Sequence, residues 1–458
     1  MNRLHDPLDI RGVLSDELEQ LTESGYETAG AVAEFSRLDP GDVPGHEALL
    51  NRMTHLPRSS GWKYDEPDAL DKIVLTWTVD DDPAFRPVED RIHGSWLGRI
   101  AGCNLGKPLE QGDHWTPEHI RNYLELTGAY PLRDYVPVAD PMPSGFELKD
   151  NWPQTTRGNV SGSARDDDID YAILGVHLLE QYGSNLTTAH VAEAWLAYLP
   201  YARIFTAERA TYVNLLHGIP AERAAEHRNP WREWIGALIR GDAFGWTHAG
   251  RPYAAARAAY ADARLSHRAN GIYGEMWSAA LVSSALVTRD PAEAVERSLG
   301  VVPPRSRLAE SIVFVRGLHA EGHDWDSALV SIRQKYDHYS WVHTVNNAAA
   351  ITAGLLWSEG DFATAIGNTV LAGWDTDSNG ATVGSVMGAL LGAAALPANF
   401  IDPLEDFTRS AVFGYDHSSI SGLGRRTVAV ANGLLPEAAQ KRPRAAGNGE
   451  SGFETLAG

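Results

Sequence analysis

The sequence predicts a mostly helical protein, on three observations. Apolar residues recur at helical spacing, as in Leu14, Leu18 and Leu21, in Val191, Ala192, Trp195 and Leu196, and in Ala279, Ala280, Val282 and Leu286. Strand-like alternation is scarce. Two runs carry glycine at every fourth residue: Gly94, Gly98, Gly102 and Gly106, then Gly380, Gly384, Gly388 and Gly392. Residues four apart share one helix face. Glycine there costs about 1 kcal/mol against alanine, so four on one face imply a close backbone contact that offsets the cost. Two smooth-faced helices are expected at the centre of the fold, each packed on a neighbour, with each other as one option.

The elements follow in chain order. Residues 1–87 read as an accessory segment: helical spacing from Leu8 to Phe35, a break at Asp39-Pro40-Gly41, then a wrapping loop rich in Pro, Asp and Trp from Met53 to Pro87. Residues 88–436 read as the helical body. Within it, the Pro/Gly-rich stretch from Thr127 to Ser163 has little periodicity; a connection that long is functional or disordered. The stretch from Ser378 to Ile401 is uncharged, but its many glycines and Pro397 mark a buried helix, not a membrane span. Residues 437–458 are polar and Gly/Ala-rich, and a disordered tail is expected.

Composition narrows the function classes. The net charge of −21 argues against nucleic acid as a partner, because phosphate backbones need basic surface. The single cysteine, Cys103, forms no intrachain disulfide, and the first residues lack an apolar signal core; both fit a cytoplasmic protein. Oligomeric state is not legible.

The chemistry concentrates in two acidic clusters, each heading a helix-like stretch: Asp166-Asp167-Asp168 and Asp375-Thr376-Asp377-Ser378. One Asp at such a place is an ordinary helix cap. Three in succession exceed what a cap needs, and their repulsion calls for a cation. Hard divalent ions prefer such oxygen ligands. If the fold brings the clusters together, Asp166, Asp167, Asp168, Asp375, Asp377 and Ser378 can ligate one or two ions.

Three segments, in order, resemble the ADP-ribosylglycohydrolase family. Arg91 to Glu110 is similar to its opening helix, Asp166–Asp168 to its first metal motif (usually Thr-Asp-Asp-Thr), and Gly373 to Ala381 to its second (usually Gly-Asp-Thr-Asp-Thr). The resemblance covers roughly residues 88–430. It implies an all-α bundle with a central dinuclear Mg²⁺ site (Mn²⁺ as a substitute), and hydrolysis of a ribosyl glycosidic bond in a small-molecule or protein-linked substrate. It places Glu110 near the substrate ribose. Departures are plain: Asp166 stands for a Thr, Ile169 for the closing Thr of the first motif, and Cys103 where many members have Asp.

Glycosidic cleavage passes through an oxocarbenium-like state and needs a proton-transfer carboxyl group. Glu110, Asp168 and Asp375 are the catalytic candidates, with Glu110 preferred because it is expected not to bind metal. For substrate binding, Gly158, Ser161 and Gly162 could present N–H groups to a phosphate, and read equally as a plain loop. His343, Asn346 and Trp374 could touch substrate, or serve as core and capping groups. A Mg²⁺ phosphohydrolase using the same carboxylates, and a non-catalytic crystallin-like relative, are the alternative functions.

Overall fold

The computed structural model describes residues 5–77, 85–150 and 152–435. The expected tail from 437 to 458 lies outside them. Among the described residues the protein is all-α, with a single two-stranded ribbon, Phe407–Thr408 against Ser418–Ser419.

The two glycine runs form the helices Glu89–Gly106 and Thr376–Leu391. They pack antiparallel, glycine on glycine, and every residue of the second is buried save its last, Leu391. A Cβ built on Gly98, Gly102 or Gly106 would sit under 3.0 Å from the backbone of Gly384, Gly380 or Thr376. The converse holds for Gly380, Gly384 and Gly388 against Gly102, Gly98 and Gly94. No side chain fits between the two backbones, so the helical cost of glycine is offset by main-chain contact. Ser95 Oγ donates to the Ser385 carbonyl (2.8 Å), and Thr376 Oγ1 to the Gly106 carbonyl (2.9 Å). These bonds fix the register: the start of the second glycine helix abuts the end of the first.

The remaining helices layer around this pair. Asn270–Ala285, buried along its whole length, packs on Pro252–Ala263 and on the second glycine helix. Asp167–Tyr182 carries the first acidic cluster at its N-terminus.

The N-terminal segment lies on this body. Its helical stretch is two helices, Ile10–Glu23 and Ala29–Phe35, not one. Gly25, at φ +76°, turns the chain between them, and a Cβ there would strike Trp62. A third helix, Val43–Met53, follows the break at Asp39-Pro40-Gly41. The wrapping loop is tied down at several points. Asp65 N donates to the Arg305 carbonyl (3.0 Å), Glu66 pairs with Arg307 (2.9 Å), and Trp77 Nε1 donates to the Val301 carbonyl (2.9 Å).

The Pro/Gly-rich connection is irregular apart from a short turn, Trp152–Gln154. It is nonetheless anchored: Tyr135 Oη donates to the Phe400 carbonyl (2.8 Å), and Lys149 N to the Pro108 carbonyl (3.0 Å). The second bond brings Lys149 beside Glu110.

Gly98→Leu and Gly384→Leu each force a side chain into main chain. Overpacking typically costs about 1–3 kcal/mol, and both variants are expected at or above that range because backbone cannot swing aside. Denaturant midpoints check this; wild-type midpoints in both variants would refute the close contact.

Candidate metal centre

Two helix starts converge beside the end of the first glycine helix, where Lys107 contacts both Asp166 and Asp377. Asp166 is the N-cap of Asp167–Tyr182, its carboxylate accepting from Asp168 N (3.0 Å). Asp375 precedes Thr376–Leu391 in the corresponding place without a side-chain cap bond. Both clusters therefore sit at the positive ends of helices, which favours anions. One Asp does act as a cap, as the ordinary reading requires, but Asp168 is engaged by Arg99 and Ser378, and Asp377 by Lys107.

The carboxylates meet in two groups that share Asp377. One oxygen each from Asp166, Asp168 and Asp377, with Cys103 Sγ, lie within 4.8 Å of one another. So do oxygens from Glu110, Asp375 and Asp377. Ser378 Oγ donates to Asp168 Oδ2 at 3.1 Å, joining the two clusters directly. Asp167 is half-buried at the same cavity floor. All six residues expected as metal ligands, and all three expected as catalytic groups, thus line one site.

Cations hold this site together. Arg99, fully buried in the first glycine helix, donates to Asp168 Oδ1 (3.2 Å), to the Asp168 carbonyl (2.7 Å) and to Asp242 (2.7 Å). Lys107 Nζ contacts Asp166, Asp377 (2.9 Å) and Glu110 (3.3 Å). Lys149 Nζ contacts Glu110. Sequence reasoning missed Lys107 and Lys149. The only signal was adjacency: Lys107 follows the last ridge glycine and precedes the Pro-Leu-Glu110 turn.

Electrostatics separates the acids. Burial raises every one of them, but Lys107 holds Asp166 below its ordinary value, and Lys107 with Lys149 holds Asp377 at about 2. Asp375 is pushed well up, first by burial and then by Asp377, to which its carboxyl group is hydrogen-bonded. Two carboxyl groups in contact must share a proton or a cation. Burial and then Asp166 raise Asp167 to about 6. Burial, then Asp166 and Asp168, push the Cys103 thiol well up, leaving it neutral and a poor ligand for a hard ion. The donor set fits a hard divalent cation best at Asp375 and Asp377, with Glu110 alongside, held by Lys107 and Lys149.

Above the floor opens a cavity of about 1130 Å³. Arg165, Arg203, Arg209 and Arg409 line it together with Phe205, Trp234 and Trp341. Arg165 and Arg409 are paired with Asp170 and Asp416, both at 2.7 Å, whereas Arg209 donates to the Ile204 carbonyl (2.8 Å). His5, from the N-terminal segment, reaches the lining and meets Trp234 edge-on at 4.8 Å.

The residues expected to bind substrate lie elsewhere. Gly158 is exposed, with open space around it. Ser161 faces Glu405 (3.2 Å), and Gly162 N donates to the Pro403 carbonyl (2.9 Å), so this loop packs on residues 403–408. His343 is fully buried, caps the helix Thr344–Leu356 by accepting from Val345 N (3.2 Å) and stacks on Tyr339. Burial lowers it to about 3, which keeps it neutral. Asn346 Nδ2 donates to the Ser340 carbonyl (3.1 Å). Trp374 is 5% exposed, beneath the Arg333 guanidinium at 4.3 Å. None of these six lines the cavity; its wall is built by Trp341, Trp234 and the arginines.

The family model for ADP-ribosylglycohydrolase matches residues 85–441. A search of curated proteins gave no match. Among solved structures, a chain titled "ADP-ribosylglycohydrolase-related protein complex" is 17% identical; the match covers 76% of this chain and 99% of that one, with a TM-score of 0.40. No helix among the described residues is long and apolar enough to cross a membrane. Since the family match spans well over half of the sequence, this chain belongs to the ADP-ribosylglycohydrolase family.

Proposed function

We propose that the protein is a Mg²⁺-dependent hydrolase of a ribosyl glycosidic bond, acting on ADP-ribosylated or related N-ribosyl compounds. The observation that carries this reading is the convergence of both acidic helix starts and Glu110 on the floor of one cavity walled by arginines and aromatic rings. A ribose needs hydroxyl-binding oxygen chemistry at the floor. A diphosphate needs cationic groups, and a base needs flat apolar surface. The cavity offers all three.

Asp375 and Asp377 would hold a divalent ion, with Asp168 and Ser378 beside them. When bound, the ion grips sugar hydroxyls and lowers the pKa of water. The chain's own groups supply the rest. Arg99 keeps Asp168 oriented from below. Glu110 is half-buried at the floor, within reach of substrate, and Lys107 and Lys149 fix its carboxylate in place. It is the proton-transfer group of this reading. Arg209, with no carboxylate partner among the described residues, would meet a phosphate, and Trp234 and Trp341 would pack against the base.

Three outcomes are expected. Thermal melts with excess Mg²⁺ should exceed those with EDTA; at 100 times Kd the gain is about 2.7 kcal/mol, and Asp377→Ala should abolish it. Equal midpoints at saturating Mg²⁺ would count against a metal site. Asp168→Asn and Asp375→Asn should each lower turnover by roughly 10²-fold or more through lost preorganised charge. Glu110→Gln should lower it by roughly 10²–10⁴-fold while keeping the Mg²⁺-induced gain in Tm. The product test is release of free ADP-ribose or ribose, with and without Mg²⁺. Release of inorganic phosphate with the glycosidic bond intact would assign a phosphohydrolase instead.

A further inference from the structure

We propose that the Lys107 ammonium permanently fills one of the two cation positions of this site, so that the chain binds a single divalent ion, on the Asp375–Asp377 side. This rests on the metal-dependent reading above and changes its stoichiometry.

The position of Lys107 is imposed by the fold. It follows Gly106, whose backbone abuts Thr376, so the chain cannot shift away from the second cluster without parting the glycine helices. Its side chain is only 10% exposed, and its Nζ contacts carboxylates from three separate segments: Asp166, Asp377 and Glu110. One ammonium thus bridges the first cluster to the second, which is the task a shared metal ion would perform. Lys107 already bonds Asp166 Oδ2 and Asp377 Oδ2, oxygens that an ion in the first donor group would have to share with it. An ion placed there would lie against a like charge with little water between them, where repulsion is several-fold stronger than in bulk solvent. The fourth donor of that group is the buried Cys103 thiol, an ill match for a hard cation.

The second donor group differs. Oxygens of Asp375 and Asp377 lie within 4.8 Å of each other there, and the group contains no thiol. A divalent ion can take an oxygen from each. Asp377 can serve both cations, because Lys107 engages only its Oδ2, and its Oδ1, which accepts from Ser378 N (3.0 Å), keeps a further lone pair.

The test reads metal stoichiometry without substrate. The full chain, stripped with chelator, is titrated with Mn²⁺ by calorimetry and by electron paramagnetic resonance. One Mn²⁺ per chain with the spectrum of an isolated ion is expected for the wild type. Lys107→Met, similar in length and uncharged, frees Asp166 and should take up two Mn²⁺ with an exchange-coupled spectrum. Two ions or a coupled pair in the wild type, no bound ion at all, or a single ion in a folded Lys107→Met variant would each overturn the inference. The wild-type count stands even if the variant does not fold. A wild type that binds two ions and still releases ADP-ribose removes this inference alone. One that binds a single ion and cleaves no glycosidic bond removes the functional reading alone.

Discussion

The contact between two glycine-faced helices is the constraint on which the rest of the structure depends. With glycine at Gly94, Gly98, Gly102, Gly380, Gly384 and Gly388, the backbones meet with no side chain between them. Antiparallel packing then sets the end of one helix against the start of the other. Arg99, Lys107, Glu110, Asp375 and Asp377 inherit their places from that geometry. Arg99 projects from the first glycine helix to Asp168; Lys107 and Glu110 follow its last turn; Asp375, Asp377 and Ser378 open the second. Moving the helices apart by the width of a methyl group would separate the acids from the cations that hold them.

That placement creates an electrostatic problem and a partial answer. Buried carboxylates are costly unless paired. Asp166 and Asp168 are answered by Lys107 and Arg99, and Asp377 by Lys107. The extra carboxylate at Asp166, which distinguishes this chain from the usual family motif, is thereby neutralised by a lysine in the same site. Burial and then Asp377 push the Asp375 carboxyl group well up. This imbalance, and not the density of acids alone, is where the proposed divalent cation would bind.

Much of this was legible in the sequence, for physical reasons. Four-residue glycine spacing encodes a helix–helix contact directly, and clustered aspartates are hard to explain without a cation. The sequence could not show that Lys107 turns inward, because a lysine after a helix usually marks solvent. Nor could it place Lys149, which lies in a connection without periodicity and is brought to the site by a main-chain bond to Pro108. Around His343, an aromatic, an imidazole and two amides look like a substrate site, but the amides and the imidazole satisfy the backbone at a buried helix start. Trp341, two residues earlier, faces the cavity. The arginine wall draws on residues 165 to 409, a grouping that only the tertiary fold discloses.

The central claim is that the two acidic clusters form one cation-binding, substrate-facing centre. Anomalous diffraction from crystals soaked in Mn²⁺ and ADP-ribose tests it most directly. The account predicts a manganese peak between Asp375 and Asp377, with ADP-ribose density running from that peak toward Arg209 and Trp341. Manganese found only at exposed carboxylates, or ADP-ribose bound outside this cavity, would contradict it.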